Sequence, residues 1–219
     1  MESFLLEIGT EEIPAGYIRP ALDALADQLR RKLDHARIDH GPAHTLGTPR
    51  RLAVWVEQVA QRQKPVTEQV LGPPERIAFD AQGNLSIPGR KFAEKVGLPP
   101  EQLRLVETEK GKYLCADLTD KGTVTRTVLK EILPDLILNL PFPKTMRWSD
   151  LNIAFARPIQ SVAALHGKKV IFFTLDPKLK SGRSTRGHQF MHRKRVQIES
   201  AASYRAQMRE AQVIVDVAE

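Results

Sequence analysis

The spacing of hydrophobic and polar positions predicts three elements at the start of the chain. Residues 3–9 form an apolar run of the length of a short buried strand. Leucine and alanine then recur every three or four positions from Leu22 to Ala36, which predicts an amphipathic helix with Pro20 at its first position. Residues 51–59 (RLAVWVEQV) alternate as a second strand does. We therefore expect a strand-helix-strand unit here.

The middle of the chain is richer in proline and glycine and lacks a regular spacing of apolar positions. Between residues 61 and 119, proline or glycine recurs every few positions, which predicts an irregular inserted segment. Within it, residues 90–96 are expected to form a short helix that ends at Gly97, and residues 112–118 a strand. The inserted segment would separate residues 1–60 from residues 120–219, which together form the expected core domain.

The last hundred residues contain both helix-type and strand-type spacing of apolar positions. Apolar positions from 125 to 140 predict a helix that Pro134 is expected to kink. Residues 159–165 and 168–175 are two strand candidates, and the turn residues His166 and Gly167 between them predict a hairpin. A helix over residues 198–211 and a final strand at VIVDV complete the expected elements.

Composition places the chain among ordinary folded proteins. Its 219 residues are 42% hydrophobic and 27% charged, which argues against disorder and is enough to build one large or two small cores. No apolar run approaches the roughly 20 residues of a membrane span, and the acidic opening does not resemble a signal peptide. Cys115 is the single cysteine and has no internal disulfide partner. We expect a cytoplasmic protein with no membrane contact.

The positive charge is concentrated near the carboxyl end. Residues 1–143 carry 19 Lys and Arg against 20 Asp and Glu, whereas residues 144–219 carry 14 against 6. The segment 178–195 holds seven basic residues and no acidic one. Such a field attracts polyanions, because Lys and Arg displace the cations condensed around phosphates. The alternative is a solvated loop whose charge serves solubility.

Enzymatic motifs are weak or absent. Glu11 and Glu12 are adjacent, so on a strand their side chains would point to opposite faces, and a structural role explains them equally well. His188 and His192 are four apart, but Gln189 stands where a zinc protease has glutamate. The chain also lacks a Walker phosphate loop and a nucleophile-elbow motif around serine. We predict no catalytic, cofactor-binding or metal-binding residues.

Arginines beside proline or glycine are the better binding candidates. A stiff local backbone reduces the entropy that the guanidinium loses when it meets a phosphate. Internal ion pairing is an equal alternative for each of them. With the basic segment, the candidate phosphate-binding residues are Arg50, Arg51, Arg147, Arg157, Lys178, Lys180, Arg183, Arg186, His188, Arg193, Lys194 and Arg195.

Six motifs in order along the chain carry a resemblance to a known family. They are LLEIGTEEIP at 5–14, TPRRLAV at 48–54, LGPP at 71–74, FPKTMRW at 142–148, FARPIQSVAALHG at 155–167 and TRGHQFMH at 185–192. Together they resemble the amino-terminal part of the β subunit of bacterial glycyl-tRNA synthetase, the α2β2 form. The resemblance runs nearly end to end, and its departures lie chiefly between residues 60 and 120.

The resemblance implies a fold and a setting. It implies an α+β fold, with mixed or antiparallel sheets and packed helices, similar to the B3/B4 domain of the phenylalanyl-tRNA synthetase β chain. It implies that the chain is a truncation of a much longer β subunit that continues into a helical HD-type region and an anticodon-binding domain. The partners would be the α subunit and tRNA(Gly). ATP and Mg would be used through the α subunit, with no cofactor in this segment.

Three functional hypotheses follow from the resemblance. The first is a segment of a class II ligase that helps to bind tRNA(Gly) and to assemble the subunits, is not catalytic alone, and uses the twelve candidate residues as tRNA contacts. The second is a hydrolytic editing domain in which Glu11, Glu12 or His188 places a water molecule. The third is a scaffold that docks the α subunit, with the arginine motifs internal.

Overall fold

The computed structural model describes residues 1–80, 82–148 and 153–216 of the chain. The helices are α1 (Ala15–His35), α2 (Glu75–Ala78), α3 (Ile87–Val96), α4 (Thr125–Leu138) and α5 (Tyr204–Glu210). The strands are β1 (Glu2–Thr10), β2 (Ala43–Thr48), β3 (Arg51–Val59), β4 (Val66–Pro74), β5 (Arg104–Thr108), β6 (Gly111–Asp120), β7 (Met146–Arg147), β8 (Ala154–Phe155), β9 (Ile159–His166), β10 (Lys169–Val170), β11 (Thr174–Asp176), β12 (Leu179–Gly182), β13 (Ser184–Arg186) and β14 (Arg195–Gln197). The fold is of the mixed α+β class, with both mixed and antiparallel sheets.

The chain divides into two units. The first, which we call the core unit, comprises Met1–Gln63 and Thr123–Glu219, and the second, the inserted unit, comprises Lys64–Gly122. Each unit has its own cluster of buried apolar side chains.

The core unit is built on a seven-stranded sheet with the order β11-β12-β9-β1-β3-β2, to which β10 adds beside β9. β1 is antiparallel to both β3 and β9, and only the β12–β9 pair is parallel among the pairings of this sheet. β1 therefore lies in the middle of the sheet, which explains why it is an apolar run instead of an alternating one.

Both faces of β1 are covered. Phe4, Leu6 and Ile8 point to one face and pack in a large apolar cluster with residues of α1 and α4. Leu5 points to the other face and packs with Tyr204 of α5 and its neighbours. Because side chains of a strand alternate between faces, Glu7 and Gly9 share the α5 face with Leu5.

Helix α1 begins five residues earlier than the sequence predicts. It starts at Ala15, after Pro14, and Pro20 lies inside it. Proline in a helix interior lacks the N–H that would bond to the carbonyl four residues back, here that of Gly16. Gly16 and Pro20 are both exposed, so water can satisfy this carbonyl and the helix continues through the proline.

The predicted hairpin after β9 forms, but its second strand is much shorter than residues 168–175. β10 pairs with β9 over only two residues, and the next strand, β11, pairs with β12. β12 takes the place beside β9. The hydroxyl of buried Ser181 in β12 accepts a hydrogen bond from the amide of Phe173 (2.7 Å) and donates one to the carbonyl of Ile171 (2.8 Å), which holds β12 to the chain that follows β10.

The carboxyl-terminal elements are shorter than expected. α5 covers Tyr204–Glu210 of the predicted helix 198–211, because residues 198–201 instead lie in the loop that packs on the sheet. Residues 213–216 of the predicted final strand have no strand structure, and residue 217 lies outside the described residues. The carbonyl of Val215 nevertheless accepts a hydrogen bond from the amide of Gly47 in β2 (2.8 Å).

The inserted unit is more regular than its composition predicts. β4, β6 and β5 form an antiparallel sheet in that order, and α2 and α3 place Ala78 and Phe92 against Leu114 and Ala116. Several of the prolines and glycines that predicted irregularity lie at element ends, although Gly72 lies within β4 and Gly89 within α3. Pro74 precedes α2, and Gly97 adopts a left-handed conformation (φ 67°) that ends α3.

Across the part of the chain that the structure describes, no helix combines the length and apolarity needed to cross a membrane.

Candidate functional site

The candidate site lies at the edge of the core sheet where β1 ends and β3 and β9 begin. The amide of Thr10 donates to the carbonyl of Arg50 (2.9 Å), and that of Glu11 donates to the carbonyl of Pro158 (3.0 Å). The end of β1 is thus held between two arginine-proline motifs, residues 48–51 and 155–158. Three segments far apart in the sequence meet at one point.

A cavity of about 310 Å³ opens at this edge, and we call it the basic cleft. Its lining comes from the end of β1, the starts of β3 and β9, strand β13 and the segment that follows it. The lining residues are Gly9, Thr10, Arg50, Arg51, Gln160, Ser161, Thr185, Arg186, Gly187, His188, Gln189, His192, Arg193 and Arg195. The composition is basic and polar, and it includes no carboxylate.

Two glycines allow the close contacts that shape the cleft. A Cβ atom at Gly9 would lie 2.5 Å from the hydroxyl of Ser161, its partner on β9. A Cβ atom at Gly187 would lie 2.5 Å from Nδ1 of His192. Since real Cβ atoms do not approach other heavy atoms this closely, both positions favour glycine for steric reasons.

Three buried polar atoms of the lining have no hydrogen-bond partner within the described residues. They are Oγ1 of Thr10, Nε of Arg51 and Nδ1 of His192. Buried polar groups are normally hydrogen-bonded, because leaving one unsatisfied costs about 1–3 kcal/mol. Such atoms in a cavity are suited to meet a ligand or water.

A buried polar network lies behind the cleft on the α5 face of the sheet. The carboxylate of Glu7 accepts hydrogen bonds from the hydroxyls of Thr185 and Tyr204, and Nη1 of Arg51 lies 3.6 Å from it. Nη2 of Arg51 donates to the carbonyl of Arg186 (2.7 Å). Burial, followed by the charge of Glu7, raises the pKa of Tyr204 well above its ordinary value, so its phenol remains a donor. The network fixes β13, a wall of the cleft, to the sheet.

A second cavity adjoins the basic cleft and shares Thr10, Arg50, Gln160 and Arg186 with it. It adds Glu11, Glu12 and Arg157. Both carboxylates have partners. Oε1 of Glu12 lies 3.3 Å from Nη2 of Arg50, and Oε1 of Glu11 accepts a hydrogen bond from the side-chain amide of Gln160 (3.3 Å).

Arg157 also lines this second cavity. Its Nε donates to the carbonyl of Glu12 (3.0 Å) and its Nη1 to the carbonyl of Ala156 (3.2 Å). The guanidinium therefore supports the chain that follows β1.

The segment after β13 makes a tight turn. The amide of His192 donates to the carbonyl of His188 (3.0 Å), and Nδ1 of His188 accepts from the amides of Phe190 (3.2 Å) and Met191 (3.1 Å). Nδ1 is therefore unprotonated in this arrangement, and Nε2 carries the proton of the neutral ring. The turn places both imidazoles in the cleft lining.

The guanidinium groups of the cleft differ in their pairing, and that of Arg50, which is partly exposed, pairs with Glu12. Arg51, with a side chain only 6% exposed, takes the internal ion-pair role that was the alternative for every arginine motif. Arg186, Arg193 and Arg195 are exposed, and none has an ion-pair partner among the residues that the structure describes. These three supply the positive charge that faces outward.

The remaining candidates from the sequence lie outside the basic cleft. Lys180 lines a different cavity with Lys130 and Phe172, and Lys178 lies in the β11–β12 turn. The guanidinium of Arg183 donates to the carbonyl of Lys168 (2.9 Å). Lys194 and Arg147 are exposed and do not line the cleft. The structure thus gathers Arg50, Arg51, Arg186, His188, Arg193 and Arg195 in the basic cleft, with Arg157 in the adjoining cavity.

Sequence reasoning missed the uncharged part of the site. Thr10, Gln160, Ser161 and Thr185 were not predicted, and His192 was not among the candidate residues. The sequence did contain one signal, the pair of motifs GTEE at 9–12 and PIQS at 158–161. The first lies at the end of β1 and the second at the start of β9, and these meet because the two strands are antiparallel.

Metal ligation finds no support in side-chain clustering. Within residues 1–80, 82–148 and 153–216, no group of three or more His, Cys, Asp or Glu side chains lies close enough to hold a metal ion.

Comparison with known proteins gives a consistent result. Residues 4–219 match the family model described as glycyl-tRNA synthetase beta subunit. The chain is 49% identical over 99% of its length to the glycine–tRNA ligase beta subunit of Desulfatibacillum aliphaticivorans, covering 31% of that protein. It is 45% identical over its whole length to that of Desulforapulum autotrophicum (32% of that protein) and 41% identical over 97% to that of Myxococcus xanthus (30%). The chain spans about a third of the length of these curated relatives.

Proposed function

The chain belongs to the glycyl-tRNA synthetase β-subunit family, and from that premise we propose that it is an amino-terminal part of a β subunit that binds tRNA(Gly) through the basic cleft. In this proposal the segment contributes RNA contacts to the ATP-dependent glycylation of tRNA in the cytoplasm. The segment itself is not catalytic.

One observation carries the proposal. Arg186, Arg193 and Arg195 are exposed around a cavity whose lining has no carboxylate. Guanidinium groups bind phosphate oxygens through paired hydrogen bonds, and the release of condensed cations adds to the affinity. A ribose-phosphate backbone is therefore the ligand whose charge complements this edge of the sheet.

The test is a charge reversal in the full-length β subunit assembled with its α subunit. Arg186→Glu combined with Arg193→Glu is expected to weaken tRNA(Gly) binding by at least about tenfold, since like charges would face the phosphates. The logarithm of the wild-type affinity is expected to fall steeply with the logarithm of salt concentration, and the double variant to show a shallower slope.

The matched control carries the same change of net charge elsewhere. Lys91→Glu combined with Lys95→Glu alters two exposed residues of α3 in the inserted unit. This control is expected to bind tRNA(Gly) nearly as wild type does. Equal affinities for wild type and the Arg186/Arg193 double variant would remove the basic cleft from the tRNA interface.

We also propose the α subunit as the protein partner. The relatives are named beta subunits, and in this proposal ATP, Mg and glycine are used through the α subunit. Co-purification of the α subunit with β chains that contain or lack residues 1–219 tests whether this segment contributes to assembly. Formation of glycyl adenylate by the β chain alone would contradict the division of labour.

A further inference from the structure

An exposed aromatic side chain lies beside the basic cleft in a segment rich in arginine. Phe190 is 71% exposed and Met191 is 65% exposed, in the turn between His188 and His192. The ring centroid of Phe190 lies 6.2 Å from that of His188, which lines the cleft. The turn therefore presents an apolar ring next to the cavity mouth.

The turn is held in place independently of any partner. His188 accepts two backbone hydrogen bonds from the turn, and its own amide donates to the carbonyl of Ala211 (2.9 Å). The segment begins at β13, which the Glu7 network fixes to the sheet. An aromatic ring on a fixed turn loses little entropy when a flat ligand stacks on it.

We propose that this turn binds an unpaired nucleotide of RNA, with the base stacked on Phe190 and its flanking phosphates on Arg186, Arg193 and Arg195. The proposal rests on the proposed tRNA-binding function and specifies the kind of RNA structure that is bound. Aromatic rings interleaved with basic residues are the arrangement by which proteins bind single strands, because every unstacked base offers a π-face.

The size and chemistry of the basic cleft favour a single unpaired nucleotide over a duplex. A cavity of about 310 Å³ is at the lower end of the range for small ligands, so its volume suits a group of about the size of a nucleotide. In a duplex the faces of the bases are covered by their neighbours, and Phe190 would have nothing to stack on.

The experiment uses the full-length β subunit assembled with the α subunit and two labelled RNA probes. One probe is an unstructured single strand of about twelve nucleotides, within the size range of single-strand sites. The other is a blunt hairpin of equal length that is closed by a non-nucleotide linker, so that it contains no unpaired nucleotide. Fluorescence anisotropy measures both affinities across a salt series, and tRNA(Gly) binding is measured in parallel.

Phe190→Ala is expected to weaken single-strand binding by roughly tenfold, the order found for loss of one base–aromatic stack. Hairpin binding is expected to change less than twofold. The salt slope is expected to be unchanged, because phenylalanine releases no counterions. Phe190→Tyr, which keeps an aromatic face, is expected to restore the affinity.

Phe172→Ala is the matched control. Phe172 is 68% exposed, in the segment between β10 and β11, and it lines a cavity away from the basic cleft. Its removal is expected to leave the single-strand affinity within about twofold of wild type.

The outcomes separate this proposal from the one on which it rests. If the Arg186/Arg193 charge reversal weakens tRNA binding but Phe190→Ala changes neither probe, the cleft binds RNA and the stacking proposal is wrong. Equal losses for the strand and the hairpin would also overturn it. Loss of the α subunit from Phe190→Ala preparations with RNA affinity intact would assign the turn to a protein interface instead.

Discussion

Glu7 places a carboxylate in an otherwise apolar layer of the core unit. It is fully buried, and its partners are Arg51, Thr185 and Tyr204, which come from β3, β13 and α5. Burying a charge costs several kcal/mol unless it is paired and hydrogen-bonded. The three partners meet that condition, and the same contacts orient the wall of the basic cleft.

Removing the carboxylate is expected to be strongly destabilising. Glu7→Ala leaves the guanidinium of Arg51 buried without its counterion, so we expect the free energy of unfolding of the core unit to fall by about 3–5 kcal/mol. Hydrogen exchange of the β1 amides in the full-length β subunit measures this locally.

Tyr204→Phe is the control, since it keeps the ring and removes one donor. Its expected loss is smaller, about 1–2 kcal/mol, because Glu7 keeps Thr185 as a donor. Equal losses of unfolding free energy for the two variants would show that the buried pair of Glu7 and Arg51 stabilises the core unit no more than a single hydrogen bond does.

His166 gives the core unit a pH dependence. Its side chain is 2% exposed, and Nε2 lies 3.2 Å from the carbonyl of Val59. Burial lowers the pKa of His166, although the bond to Val59 opposes this. The folded state thus holds the neutral ring, whereas the unfolded histidine binds a proton near pH 6.5. Stability from this residue is present above that pH and is lost as the pH falls below it.

The test compares wild type with His166→Gln, which keeps a donor but does not titrate. We expect the stability advantage of wild type over the variant to shrink between pH 7.5 and pH 5, measured by hydrogen exchange of the β9 amides. A difference that stays constant over this range would mean that His166 does not titrate on unfolding.

Residue identity alone predicted the charged part of the site better than the uncharged part. Arg50 and Arg51 are neighbours, yet the side chain of Arg50 is 44% exposed and that of Arg51 is 6% exposed. Arg50 lies in the turn between β2 and β3, and Arg51 is the first residue of β3, so residue type alone does not indicate which of the two is buried. Thr10 and Ser161 lie in the motifs GTEE and PIQS, but these two motifs come together only when β1 and β9 pair.

At the scale of elements, the pairing of β1 with β9 depends on a missing side chain. Gly9 pairs with Ser161, and the serine hydroxyl occupies the space that a Cβ at position 9 would take. We expect Gly9→Ala to destabilise this edge by about 1–3 kcal/mol through overpacking. Hydrogen exchange of the β9 amides and tRNA affinity both measure the change.

The double variant Gly9→Ala with Ser161→Ala isolates the cause. It removes the hydroxyl that the new methyl group would meet, so we expect most of the lost stability to return. If the double variant is as unstable as Gly9→Ala alone, the conflict lies with the backbone of β9 and not with the serine side chain.

Elements with strong local patterns were predicted, and those defined by distant contacts were not. β1, β3, α3 and α4 follow the sequence prediction closely, because apolar spacing and capping residues specify them locally. β12 was missed, because four residues with one buried serine acquire strand structure only beside β9. The short pairing of β10 has the same cause, since β12 occupies the position that a longer hairpin would need.

At the scale of the whole molecule, the basic cleft combines residues of the basic segment 178–195 with residues from the first part of the chain, whose net charge is close to zero. The basic segment supplies Arg186, Arg193 and Arg195, while β1 and the start of β3 supply Thr10 and Arg50. Charge counting therefore located one wall of the basic cleft. The opposite wall required the antiparallel order β9-β1-β3, which no local pattern indicates.

The two units have separate cores, which predicts that the inserted unit is dispensable for the fold of the core unit. The buried clusters share no residue. The boundaries also lie side by side, because the amide of Gln63 donates to the carbonyl of Thr123 (3.0 Å) and that of Thr125 to the carbonyl of Gln61 (2.9 Å). An Asn-Gly loop joining Gln63 to Thr123 would close this antiparallel pair as a tight hairpin.

We expect a full-length β subunit in which this loop replaces residues 64–122 to keep the hydrogen-exchange protection of β1, β3 and β9. We also expect it to retain tRNA(Gly) affinity within about threefold, because the arginines of the basic cleft all lie in the core unit. Deleting α5 is the contrasting control, since Tyr204 and Met208 belong to the core and their loss should unfold that face of the sheet. If excision of the inserted unit abolishes protection of β1 as deletion of α5 does, then the two units fold as one. The division of the chain would then describe two compact units that are not independently stable.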